Sequence, residues 1–122
     1  MVAVVAELII YPCAAKELTG EQNRIFTNSV LRETSSYVAR LIACGNGSGK
    51  SEVSSAIDVL SKNVGMAPKE TIDNILNSMR LELGRIGSIK GTEFCEESQL
   101  NSWKSMYERS LGAFDYEKKL DN

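Results

Sequence analysis

The sequence predicts an all-α protein, an up-down bundle of four helices spanning residues 16–122. Apolar residues recur at i, i+3, i+4 spacing in four successive stretches, each with its own start or stop signals. The connectors between these stretches are short, which makes consecutive helices antiparallel neighbours. A chain of 122 residues, 43% hydrophobic and 25% charged, has the size and composition of one ordinary globular domain.

The first helix opens at Thr19, where Gln22 three residues on completes a capping box. Its stripe runs through Ile25, Phe26, Val30, Leu31, Tyr37, Val38, Leu41 and Ile42, with Arg32, Glu33 and Arg40 on the opposite face. Gly45 is its left-handed stop. A second helix fits Glu52 to Asn63, capped by Ser51, with Val53, Ala56, Ile57, Leu60 and Val64 on one face and Gly65 after it. Pro68 suits the first turn of a third helix, whose stripe is Ile72, Ile75, Leu76, Met79, Leu83 and Ile86, with Gly84 and Gly87 marking the stop. Thr92 caps a fourth helix carrying Glu93, Glu96 and Glu97 in its first turn, the sign the helix dipole favours. Leu100, Trp103, Met106, Tyr107, Leu111 and Phe114 continue its apolar face, and the polar tail from Glu117 is expected to fray.

Residues 1–15 form a separate apolar leading segment. The run is too short to span a bilayer, which takes about 20 apolar residues. Ala14 and Ala15 follow it as small residues follow an export signal, although the basic start of such a signal is missing. A signal-peptide remnant, a buried strand and a short core helix all fit this segment.

Composition removes several functions. The chain has no histidine, which takes away the commonest general base, the commonest transition-metal ligand and every Ser-His or Cys-His nucleophile pair. Its three cysteines, at 13, 44 and 95, contain no C-x-x-C pair, so no metal site and no cofactor are expected. With 14 basic and 16 acidic residues and no basic stripe, nucleic acid is not an expected partner.

One segment looks like a site. Asn46-Gly47-Ser48-Gly49-Lys50-Ser51 resembles the second half of the phosphate-binding loop of P-loop nucleotide hydrolases. By that resemblance Gly49 would let backbone N–H groups converge on phosphate, Lys50 would contact it and Ser51 would hold magnesium. The loop should begin with glycine where this chain has Cys44, and it should leave a strand where this chain reads as helix. The competing reading is a connector, in which Gly45 stops one helix, Gly47 and Gly49 turn, and Ser51 starts the next. The connector is the favoured reading. A small nucleotide-binding module on a degenerate loop at 44–51 is the alternative.

Cys44 ends the first helix and Cys95 begins the fourth, which in an up-down bundle places both at one end. A Cys44–Cys95 disulfide is therefore expected, and with it an oxidising compartment, periplasmic or secreted. The other reading keeps all three cysteines as small core residues of a cytoplasmic protein.

The function these observations favour is non-enzymatic: a small helical protein that binds another protein. Immunity proteins that occlude a toxin enzyme, such as those paired with type VI secretion amidases, include small exported helical bundles. This chain resembles them in size, helical content and expected disulfide, and in no motif. An exported immunity or inhibitor-type protein is the expectation, and homo-oligomerisation is compatible with it. An exposed patch around Trp103 and Tyr107 would mark the interface, whereas ordinary core is the plainer use of both. Glu93, Glu96 and Glu97 could in principle serve a carboxylate hydrolase, but first-turn glutamates are normally solvated dipole partners.

Overall fold

The structure, a computed structural model, describes residues 17–119; the leading segment 1–15, with Cys13, lies outside them. The described chain is all-α, a bundle of four helices: α1 (Gly20–Ala43), α2 (Lys50–Val64), α3 (Pro68–Gly87) and α4 (Glu97–Lys119), with a 3₁₀ turn at Glu93–Cys95 before α4.

Local chemistry sets the boundaries. Thr19 and Gln22 form the expected capping box, each backbone N–H donating to the other's side-chain oxygen at 3.0 Å. At the far end of α1, Gly45 adopts φ 70° and Asn46 N–H donates to Leu41 O at 2.8 Å, the bond that closes a left-handed stop. After α2, Gly65 adopts φ 66° and Met66 N–H donates one residue further back, to Leu60 O at 3.2 Å. Pro68 occupies the start of α3.

Three boundaries differ from expectation. The N-cap of α2 is Gly49 rather than Ser51, so Lys50 and Ser51 already lie in the helix. Gly84 is helical, and α3 runs on to Gly87. The fourth helix is broken near its start, because Glu96 is extended at φ −64°, ψ 147° and α4 begins only at Glu97. The helix runs into the polar tail as far as Lys119, where Gln22 Nε2 donates to Glu117 Oε1 at 3.4 Å and Lys118 Nζ donates to Asn63 Oδ1 at 2.8 Å, and the rest of the tail expected to fray lies outside the described residues.

Cross-links between helices give the topology. Gln22 meets Glu117 at one end of the bundle and Cys44 meets Cys95 at the other, so α1 and α4 are antiparallel. Ser35 Oγ donates to Ile75 O at 3.4 Å and Arg40 pairs with Glu82, so α1 and α3 run parallel, as up-down order requires. Consecutive helices are not all neighbours, however. Helix α1 packs against α2, α3 and α4, whereas α3 and α4 scarcely meet each other. They flank α1 instead.

A central helix needs more than one buried face. From Glu33 to Leu41 every residue of α1 is buried, including Glu33 and Arg40, which the apolar pattern places on the solvent side. Thr34, Ser35, Ser36 and Ala39 make this feasible, since small side chains let neighbouring helices approach closely. The main core joins Leu18, Val30, Val38, Leu60, Ile75 and Phe114, and Phe26 meets Phe114 edge-on at 5.5 Å. A second cluster of Tyr37, Leu41 and Tyr107 lies toward the disulfide end, with Trp103 packed against it.

Candidate functional site

The loop at 44–51 is built as a connector. It leaves a helix rather than a strand, and among the described residues no strand occurs. Cys44 is bonded to Cys95 with Cα atoms 5.5 Å apart, inside the range a disulfide requires. Of the three residues in the phosphate reading, Gly49 is buried while Lys50 and Ser51 are exposed on the first turn of α2.

Packing explains Gly49. Its φ is 76°, and a Cβ placed there would fall inside the contact shell of Val38 Cγ1 and Cγ2. Val38 is fully buried within the main core. Gly49→Ala is therefore expected to cost about 2–4 kcal/mol, combining left-handed strain with overpacking. Lys50→Ala, on an exposed turn, is expected to stay within about 0.5 kcal/mol of the parent. Chemical denaturation of the two variants checks this, and equal stabilities would remove the packing account of the glycine.

Beside the loop, the Tyr37 and Tyr107 rings pack with centroids 5.4 Å apart and planes tilted by 31°, and Tyr107 Oη donates to Glu52 O at 3.1 Å, holding α4 to the start of α2. Burial raises the Tyr37 phenol above its ordinary value of 10.0, and the charges of Glu52 and Glu108 raise it further. Burial is also the largest cause of the raised Tyr107 phenol; a hydrogen bond with Ser55 opposes it, and Glu52, Glu108 and Tyr37 reinforce it. Both therefore stay protonated near neutrality. Tyr107 is core, as its plainer reading has it, and Trp103 is half-buried.

The more open feature lies where α3 and α4 flank α1 without closing over it. Asn28, Leu31, Arg32, Ser35 and Ser36 share one side of α1 and form the floor of a groove. Leu81 and Arg85 of α3 rise on one wall, and Trp103 and Met106 of α4 on the other. The depression continues along α1 past Ile25 and along α4 to Arg109 and Ala113. Leu81 is 74% exposed, the highest value among the exposed large apolar residues. Leu81 is off the apolar stripe of α3, so an apolar residue on the polar side was a signal available in the sequence.

Beneath the groove Arg40 ties three helices together. Its Nη1 donates to Glu82 Oε2 of α3 at 2.6 Å and to Ser36 O at 3.0 Å. Its guanidinium carbon sits 3.7 Å from the Trp103 ring centroid of α4, a cation–π contact. Arg85 completes the cluster at 3.0 Å from Glu82 Oε1. Nothing in the sequence pattern marked Arg40 as buried.

The glutamates considered for catalysis are separated by the break in the helix. Glu93 belongs to the 3₁₀ turn, Glu96 is extended and Glu97 starts α4, so they share no helical face. Among the described residues no group of three or more acidic or cysteine side chains is placed to hold a metal ion. No described helix is long and apolar enough to cross a membrane. Comparison with known proteins finds no matching family model, no similar curated protein and no similar solved structure.

Proposed function

We propose that this protein acts without catalysis, by binding another protein in the groove that α3 and α4 leave open on α1. The observation that carries the reading is the exposed Leu81 facing a wall of Trp103 and Met106 across a continuous floor. Apolar and aromatic side chains beside arginines are the usual composition of an interface centre. The Cys44–Cys95 bridge supports residence in an oxidising compartment, and so an exported immunity or inhibitor-type role.

Site-specific photo-crosslinking in cells tests this reading. A photoreactive residue at Met106, in the groove, is expected to yield a discrete adduct that Leu81→Glu suppresses. The same residue at Lys62, exposed on α2, is expected to yield none. Identical products from both positions, or an adduct indifferent to Leu81→Glu, would count against the groove.

A further inference from the structure

We infer that the groove takes an amphipathic helix whose apolar stripe is flanked by carboxylates. This inference rests on the protein-binding reading of the same groove and names the chemistry of the partner.

Shape argues for a helix. The floor from Ile25 to Ser36 follows a single side of α1 and spans about 17 Å at the helical rise, roughly three turns. Over Leu31 to Ser36 the lining comes from α3 and α4 on either side of α1, and toward Ile25 it comes from α1 and α4 alone, so an elongated element lying along α1 beside α4 matches its course. Leu81, Leu31, Trp103, Met106 and Ile25 provide apolar contact at intervals along this length.

Charge argues for an acidic flank. The groove is lined by Arg32, Arg85 and Arg109, and its only lining carboxylates among the described residues are Glu33 and Glu82. The two signs are not equally presented. The side chains of Arg32 and Arg85 are 71% and 78% exposed, whereas those of Glu33 and Glu82 are 9% and 8% exposed. Both carboxylates are already paired, Glu33 with Arg32 at 3.2 Å and Glu82 with Arg40 and Arg85. The groove therefore shows a positive rim on a chain whose net charge is −2. An occupant with glutamates or aspartates beside its apolar stripe satisfies that rim, and one with lysines does not.

Two synthetic stapled helical peptides test the inference on the full chain, one with glutamate and one with lysine beside the same Leu stripe, both lacking tryptophan. Trp103 is the chain's one tryptophan and stands in the groove wall, so its fluorescence reports occupancy directly. The glutamate peptide is expected to shift Trp103 emission and to bind roughly tenfold more tightly at low salt, the combined scale of several exposed ion pairs. High salt is expected to erase most of that difference. Arg32→Gln with Arg85→Gln is expected to collapse the preference. Arg109→Glu, outside both ion pairs, does so independently should the double variant melt early.

Equal binding of the two peptides would overturn the acidic flank and leave the groove reading standing. Tighter binding of the lysine peptide would overturn it too. Silence from Trp103 with both peptides removes the helix occupant, and the Met106 adduct then decides the broader reading separately. A concentration-dependent dimer in sedimentation that Leu81→Glu dissolves would make the occupant a second copy of this chain and defeat the inference.

Discussion

Reducing the Cys44–Cys95 bridge is expected to lower the stability of the fold by about 4 kcal/mol. The two residues are 51 apart in sequence, so breaking the bond frees the unfolded chain to open a long loop. On the scale of about 5–15 kcal/mol that typifies a domain, this is a large share of the total. The melting temperature should fall by roughly 10–25 °C in reductant, and by the same amount in a Cys44→Ser, Cys95→Ser double variant. Circular dichroism at room temperature should stay helical in both, because the bridge acts mainly on the unfolded ensemble. Thiol blocking before reduction should leave Cys44 and Cys95 unlabelled in protein made under oxidising conditions. An unchanged melting temperature on adding reductant would sink the expectation and with it the principal support for export.

The bridge also shows which parts of the architecture were readable from residues alone. Helix stripes, the Thr19 capping box and the stop at Gly45 are local chemistry, and a window of a few residues contains their causes. The meeting of Cys44 with Cys95 needed only helix order and short loops, so it followed. The arrangement of the helices around α1 did not. Hydrophobic periodicity marks one buried face, yet from Glu33 to Leu41 α1 is buried all round. Thr34, Ser35 and Ser36 read as polar, but what matters is their small volume, which lets helices close in. The groove was hidden for a related reason: its floor combines Ser35 and Ser36, buried between the flanking helices, with Asn28 and Arg32, which are ordinary surface types. At Gly49 the Gly-Lys-Ser string offered phosphate as an alternative to the favoured connector, and the contact with Val38 gives this glycine a packing reason of its own.

Breaking the buried ion pair under the groove is expected to cost about as much as losing the disulfide, by a different mechanism. Glu82→Ala leaves Arg40 charged, buried beneath Trp103 and with only Ser36 O still accepting from its Nη1. A stranded buried charge of this kind typically costs about 3–5 kcal/mol. Arg40→Met is expected to cost less, because Glu82 keeps the exposed Arg85 as partner and the thioether can fill much of the vacated space. Arg40→Met with Glu82→Leu should recover most of the loss, since an apolar pair of similar volume removes both desolvation costs. Denaturant titration of Arg40→Met, of Glu82→Leu and of the double variant closes a thermodynamic cycle, and strictly additive losses would show that the pair is not coupled. The cycle also separates stability from shape. Arg40 joins α1 to Glu82 of α3 and to Trp103 of α4, the two walls of the groove, so it sets their spacing as well as their cohesion. A double variant that melts like the parent but no longer yields the Met106 adduct would assign the pair to the geometry of the groove. One that melts like the parent and still yields it would leave stability as the pair's whole contribution.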